Sequence, residues 1–325
     1  MFKSKSVFLM TALIGTSITL SSNNWISMWM GLELNMISFI PLIKSSGPKS
    51  SEALMMYFLI QSVSSMLMLF SVMMTTLNNQ WSINMTIMTL SLLTKLGAAP
   101  FHMWLPEMTA KLSWSSTFML LTWQKLAPLQ MINNINYNQT IMNIIITLSV
   151  MMGAIGGLNQ TSLRKLMGYS SINHLGWMLI LSKSQNNWMT YMIIYAGLMS
   201  IICYIFHINN MMFINQITSI NMEMSSKITL ASTMLSMGGL PPFLGFLPKW
   251  MVIQTMIKDS MYILLTILVL FSLITLFYYL RIMTSMMLSH ASSCKWTNIH
   301  TSSTMNTWVM MINLSLPLVL VFNFI

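Results

Sequence analysis

Charge is scarce in this sequence. Its 325 residues include only 15 Lys and Arg and 5 Asp and Glu, so charged side chains make up 6% of the chain. An ordinary soluble domain carries about 25%, and the shortfall leaves too few to cover a water-soluble surface of this size. Cysteine is scarcer: Cys203 and Cys294 are the only two. They have no metal-ligand spacing and form no disulfide framework, which excludes an iron–sulfur run. No phosphate loop or dinucleotide fingerprint occurs. Nothing resembles a cleaved signal or transit peptide, because Lys3 and Lys5 run straight into an apolar stretch. The net charge of +10 does not point to nucleic acid, since the basic residues are spread among loops rather than gathered in one patch.

Apolar residues are plentiful. They make up 55% of the chain, and the mean hydropathy is +0.69. They form stretches of about 17 to 25 residues between short polar loops, the length of a membrane-crossing helix. The runs are continuous rather than alternating, which excludes a β-barrel. The expected fold is all-α: a polytopic transmembrane bundle of about eleven spans, at 5–21, 24–43, 54–77, 82–104, 113–132, 140–158, 162–182, 188–208, 226–257, 261–287 and 305–325.

Loop charges give an orientation. With eleven spans, Lys3, Lys5, Lys44, Lys49, Lys111, Arg164, Lys165, Lys227 and Lys295 fall on one side. The other side receives mostly uncharged loops, with Lys183 and Lys258. Positive charge stays inside, so the N-terminus is expected inside and the C-terminus outside.

An internal echo follows. Gly97-x-x-Pro100-Phe101-x-x-Trp104-Leu105-Pro106 resembles Gly239-x-x-Pro242-Phe243-x-x-Phe246-Leu247-Pro248, offset throughout by 142 residues. The copies lie on spans four and nine, which run in opposite directions. This predicts two inverted five-helix repeats, roughly 1–132 and 140–287, within a single integral membrane domain covering residues 1–325. Each repeat holds a discontinuous helix, and helix 305–325 is left over.

Four of the twenty charges lie well inside spans: Glu33, Lys95, Lys125 and Lys249. A charge at a helix centre costs about 2.5–3.5 kcal/mol on insertion scales, so four such costs call for a function. A buried lysine loses part of its preference for the charged form, and a nearby carboxylate restores it. A moving partner therefore switches the lysine between holding and releasing a proton. Broken helices admit water beside it. Lys95 reads as a protonation site in a helix that Pro100 opens. His102 and His174 fit either a proton relay or a histidine bonded to a backbone carbonyl at a kink. Glu107 and Lys111 have the spacing of a helical ion pair. Arg281 reads as snorkelling at a span end, and His207 as a weak relay candidate near the end of span eight.

Five ordered blocks carry a resemblance: WMGLELNMISFIPLI (29–43), LTKLGAAPFHMWLPE (93–107), LTWQKLAPL (121–129), GAIGGLNQTSLRKLMGYSSINHLGWM (153–178) and GGLPPFLGFLPKW (238–250). Together they resemble the subunit 2 family of NADH–ubiquinone oxidoreductase, mitochondrially encoded antiporter-like subunits of respiratory complex I. The style is that of an arthropod chain, and the resemblance runs along nearly the whole length. The 40 methionines fit an AT-rich animal mitochondrial genome that reads an extra codon as methionine.

The resemblance implies a function. Glu33, Lys95, Lys125 and Lys249 match the family's buried charges, and His174 falls in its SSI-x-H-x-GW block. The chain would be a membrane-arm subunit of an H+-translocating NADH:ubiquinone reductase in the mitochondrial inner membrane. Its N-terminus would face the matrix and its C-terminus the intermembrane space. It would hold no cofactor: NADH, FMN, the iron–sulfur clusters and ubiquinone belong to other subunits. Partners would be other membrane-arm subunits and membrane lipids, cardiolipin foremost, with no nucleic acid. Full-length relatives in this family have three more N-terminal helices, whose absence leaves an apolar flank for a partner to cover. A stand-alone cation/proton antiporter uses the same repeats and lysines and is the rival reading. An architectural subunit with inert charges is a third.

Overall fold

The structure is a computed structural model describing residues 2–43, 48–77, 81–135, 137–182, 187–219, 223–287 and 303–317. Lys44, Lys183, Lys295, Cys294, His290 and His300 lie outside the described residues, as does the end of the expected span 305–325. The described residues are helical, and among them the one β feature is an isolated bridge between Ser162 and Phe213. The chain divides into two compact units, Met1–Ser149 and Val150–Ile325.

The first unit begins with α1 (Phe2–Ser21), α2 (Trp25–Ile43), α3 (Pro48–Leu77) and α4 (Trp81–Leu96). Three short helices follow: α5 (Trp104–Lys111), α6 (Trp114–Leu121) and α7 (Trp123–Asn134). Then α8 (Gln139–Leu158) crosses the unit boundary. Helices α1 and α2 pack closely because glycines face each other: a Cβ on Gly31 would fall 2.8 Å from the Gly15 carbonyl oxygen. Small residues at the contact let helix backbones approach in this way within a membrane. Helix α3 packs on both α2 and α4, and α7 on α1, α2 and α4.

In the second unit, α9 (Leu163–Leu181) is sheltered along almost its whole length. The unit's other helices are α10 (Asn187–Ile208), the short α11 (Ile214–Ser219), α12 (Met224–Gly238), α13 (Phe246–Lys258), α14 (Tyr262–Met287) and α15 (Ser303–Asn313), of which α10, α13 and α14 pack against α9. Helix α9 carries Ser170, Ser171, Asn173 and His174, all buried. Surrounded by protein, it has no need of a wholly apolar exterior.

Five continuous helices among the described residues are long and apolar enough to cross a membrane: Trp25–Ile43, Pro48–Leu77, Gln139–Leu158, Trp188–Ile208 and Tyr262–Met287. The apolar helices Lys5–Ser21 and Ile83–Leu96 are shorter. Serines and threonines inside these helices bond back to the carbonyl three residues earlier, as Ser64 does to Gln61 at 2.8 Å and Thr89 to Thr86 at 2.9 Å. Their hydroxyls are thereby satisfied without water.

Two helices break as the glycine–proline motifs predict. Gly97 and Gly239 have φ of +71° and +78°, a left-handed conformation that glycine adopts without steric cost. Both ends close alike. Ala98 N–H donates to Leu93 O and Gly97 N–H to Thr94 O. Leu240 N–H donates to Leu235 O and Gly239 N–H to Ser236 O. This is the paired bonding of a Schellman stop. The helices restart at Trp104 and Phe246.

The structure corrects three expectations. Stretch 113–132 is not one helix: it breaks at Thr122, whose hydroxyl and N–H both donate to Phe118 O, at 2.7 Å and 3.1 Å. Lys111 pairs across helices with Glu52 at 2.9 Å rather than with Glu107, because α5 packs against α3. Arg281 is tied down rather than snorkelling: its guanidinium donates to Leu158 O at 2.6 Å and Gln160 O at 3.0 Å. Leu158 O is among the carbonyls that the end of α8 leaves without helical partners, and Gln160 lies two residues beyond that end.

Candidate functional site

In the first unit, Lys95 is 6% exposed and Lys125 2%. Lys95 sits in the last turn of α4, one residue before its final residue. Lys125 sits in the first turn of α7, just past the break at Thr122, and its N–H donates to Thr122 O at 3.2 Å. Each lysine thus stands beside a helix interruption, where backbone groups are released from the regular ladder.

The two lysines line one small cavity. It offers about 20 Å³ to the centre of a water molecule, and about 10–15 Å³ is enough to hold one. Asn35, Tyr57, Gln61 and Gln124 supply the rest of its polar wall, and Leu32, Met36, Leu96 and Leu120 part of the apolar wall. Tyr57 Oη donates to Gln124 Oε1 at 3.1 Å, and Gln124 Nε2 donates to Asn35 Oδ1 at 3.0 Å. Gln61 Nε2 donates to Lys95 O at 3.3 Å, taking up a carbonyl beside the break.

Glu33 lies midway along α2 and is half-buried. It is near enough to act electrostatically on both Lys95 and Tyr57. Its Oε1 is buried and accepts no hydrogen bond among the described residues. His102 is buried but is not among the residues lining the cavity. Its Nδ1 lies 3.2 Å from Pro100 O, so it donates there, the backbone-bonded arrangement at a kink.

In the second unit, Lys249 is 4% exposed. Its Nζ donates to Gly238 O at 2.6 Å and lies 5.8 Å from the centre of the Trp177 ring. Trp177 follows His174 by one turn on α9, so Lys249 packs against the helix that carries His174. His174 Nδ1 lies 2.8 Å from Tyr191 Oη, and its ring centre lies 5.1 Å from that of Tyr195. Tyr278 and Tyr279, both buried, stack edge to face at 4.7 Å. Helix α15 closes this side, with Leu244 N–H in the break donating to Asn313 O at 2.9 Å. His207 is exposed.

The charged residues were legible from sequence because they are rare. Asn35, Tyr57, Gln61 and Gln124 were not, since an uncharged polar residue in a span is common. Their available signal was being large and polar inside otherwise apolar runs.

A family model described as "NADH:quinone oxidoreductase/Mrp antiporter, TM" matches residues 22–275. The NADH-ubiquinone oxidoreductase chain 2 of Anopheles gambiae is 43% identical over 304 residues, covering 90% of this chain and 89% of its own. The same protein from Locusta migratoria is 39% identical over 315 residues, covering 94% and 91%. The chain belongs to the NADH-ubiquinone oxidoreductase chain 2 family. A chain of respiratory complex I from Thermus thermophilus shares the fold of this family member, with a TM-score of 0.80 over 87% of this chain and 70% of that one, at 18% identity. All six candidate residues lie within the part that the family model matches.

Proposed function

We infer that this chain is a membrane subunit of an H+-translocating NADH:ubiquinone reductase, and we propose that Lys95, Lys125 and Lys249 take up and release the protons it moves. The observation that carries the proposal is that Lys95 and Lys125, from different helices, share one water-sized cavity. A water there can pass a proton between two amines that are otherwise enclosed by protein. Glu33 is the carboxylate whose charge acts on Lys95. His174, bonded to Tyr191 and adjoining Trp177, is the relay candidate beside Lys249. His102, committed to a carbonyl at one nitrogen, is the weaker relay candidate.

The wider arrangement belongs to the same proposal. The chain crosses the mitochondrial inner membrane about eleven times, with its N-terminus in the matrix and its C-terminus in the intermembrane space. The alike stops at Gly97 and Gly239 support a pair of inverted repeats within one membrane domain. NADH, FMN, iron–sulfur clusters and ubiquinone are bound by other subunits, and this chain holds no redox centre. Its neighbours are other membrane-arm subunits and lipids such as cardiolipin.

The family model's description also covers antiporters, so the test must separate the two readings. Mitochondrial membranes are solubilised in mild detergent and run on a native gel. The gel is stained for NADH oxidation, and each band is searched for this chain by mass spectrometry. The expected result is this chain in the very large NADH-oxidising band. Finding it only alone or in a small inactive band establishes a stand-alone antiporter instead.

A further inference from the structure

We propose that Asn35, Tyr57 and Gln124 are positioning residues that bind and orient water between Lys95 and Lys125. The inference rests on the proton role proposed above for the two lysines, and adds the groups that make the gap between them passable.

The three side chains come from three helices, α2, α3 and α7, and form one hydrogen-bonded chain. Tyr57 Oη donates to Gln124 Oε1, and Gln124 Nε2 donates to Asn35 Oδ1. These bonds fix which way the Gln124 amide points. A primary amide has two N–H donors and two acceptor lone pairs. Tyr57 occupies one lone pair and Asn35 takes one hydrogen. One lone pair and one N–H remain, on a side chain that lines the cavity with both lysines. A buried water needs two to four polar partners, and the residues lining this cavity include Gln124, Asn35, Tyr57 and both lysines.

The amides do not titrate near neutral pH, so they do not carry the proton. Their contribution is to hold the water's oxygen and hydrogens in register with the two nitrogens. In the transfer, the Lys95 ammonium gives a proton to the water oxygen, and the water gives one of its own to the Lys125 amine. Lys95 is left neutral, Lys125 becomes an ammonium, and the water is restored. The return transfer runs the same bonds in reverse.

Removing the Tyr57 hydroxyl alone is a mild perturbation, because the ring packs edge-on against Phe39 at 5.2 Å and a phenylalanine keeps that contact. The test compares Tyr57→Phe, Gln124→Leu and Lys125→Met in the assembled complex. Protons moved per NADH oxidised are measured in sealed vesicles, and the wild-type structure is determined at a resolution that shows ordered water. The expected result is water within hydrogen-bonding distance of Gln124 and both lysines, and a loss of protons per NADH in all three variants. If Gln124→Leu does not assemble, Tyr57→Phe decides. A dry cavity overturns the inference. So does a wild-type ratio in Tyr57→Phe and in any assembled Gln124→Leu alongside a lowered one in Lys125→Met, and the triad is then a brace between helices. A wild-type ratio in Lys125→Met overturns the underlying proton role, and this inference with it.

Discussion

Lys249 Nζ donates a 2.6 Å hydrogen bond to the carbonyl oxygen of Gly238, the last residue of α12. A helix end leaves carbonyls unpaired and carries partial negative charge. The broken helix therefore provides its own acceptor for the lysine, with no carboxylate needed. A rearrangement at the break would move that acceptor, and with it the balance between the two forms of the amine.

Gly239 makes this contact possible. Its φ of +78° is left-handed, and a Cβ there would fall 2.7 Å from Lys249 Cδ and 2.8 Å from its Nζ. Gly239→Ala is expected to cost about 1–2 kcal/mol from backbone conformation alone and to push Lys249 off the Gly238 carbonyl. The thermal midpoint of the assembled complex checks the first effect. Proton movement per NADH, expected to fall, checks the second.

Arg281 anchors α14 to the end of α8 through two carbonyls. Replacing it by Met leaves both unpaired and is expected to destabilise by about 1–3 kcal/mol. Lysine is expected to restore only part, because it lacks the planar fork that reaches two acceptors at once. Thermal inactivation of the two variants against wild type checks the order.

Gly153 holds α8 against α9. A Cβ at this position would fall 2.6 Å from Asn173 N and 2.9 Å from Tyr169 O, both backbone atoms that cannot turn aside. Gly153→Ala should therefore separate the helices next to His174 and reduce the amount of assembled complex, read from the NADH-oxidising band on a native gel. A Cβ at Gly197 would meet nothing within 4 Å, so Gly197→Ala should leave that band at wild-type strength.

Tyr191→Phe keeps the ring that stands edge-on to His174 and removes the hydroxyl 2.8 Å from its Nδ1. A lost hydrogen bond of this kind costs about 0.5–1.5 kcal/mol in stability. A relay through His174 predicts a fall in protons per NADH as well, whereas a purely structural bond predicts the stability change alone.

Much of this was readable from the chain. Five of the expected spans appear as continuous apolar helices because a bilayer dictates helix length, and the stops at Gly97 and Gly239 follow from glycine's freedom and the prolines after it. The break at Thr122 was not readable: nothing in LLTWQKL marks a stop, and the interruption shows only in the backbone, at the φ of −114° of Thr122 and the Lys125 N–H that turns to Thr122 O. Likewise Lys111 could pair with Glu107 by spacing, but only the packing of α5 on α3 brings Glu52 closer. The charged members of the site stood out because charge in an apolar span is costly. The Tyr57–Gln124–Asn35 chain did not, because which polar residues meet is settled by three helices packing together.

The most direct test of the account is proton movement by the assembled complex carrying Lys95→Met. This variant keeps a side chain of similar length and removes only the amine. Purified complex is sealed into vesicles, driven by NADH and a ubiquinone, and followed by external pH together with NADH absorbance. The account predicts a clear loss of protons moved per NADH oxidised, with the complex still assembled. A wild-type ratio in Lys95→Met would contradict it.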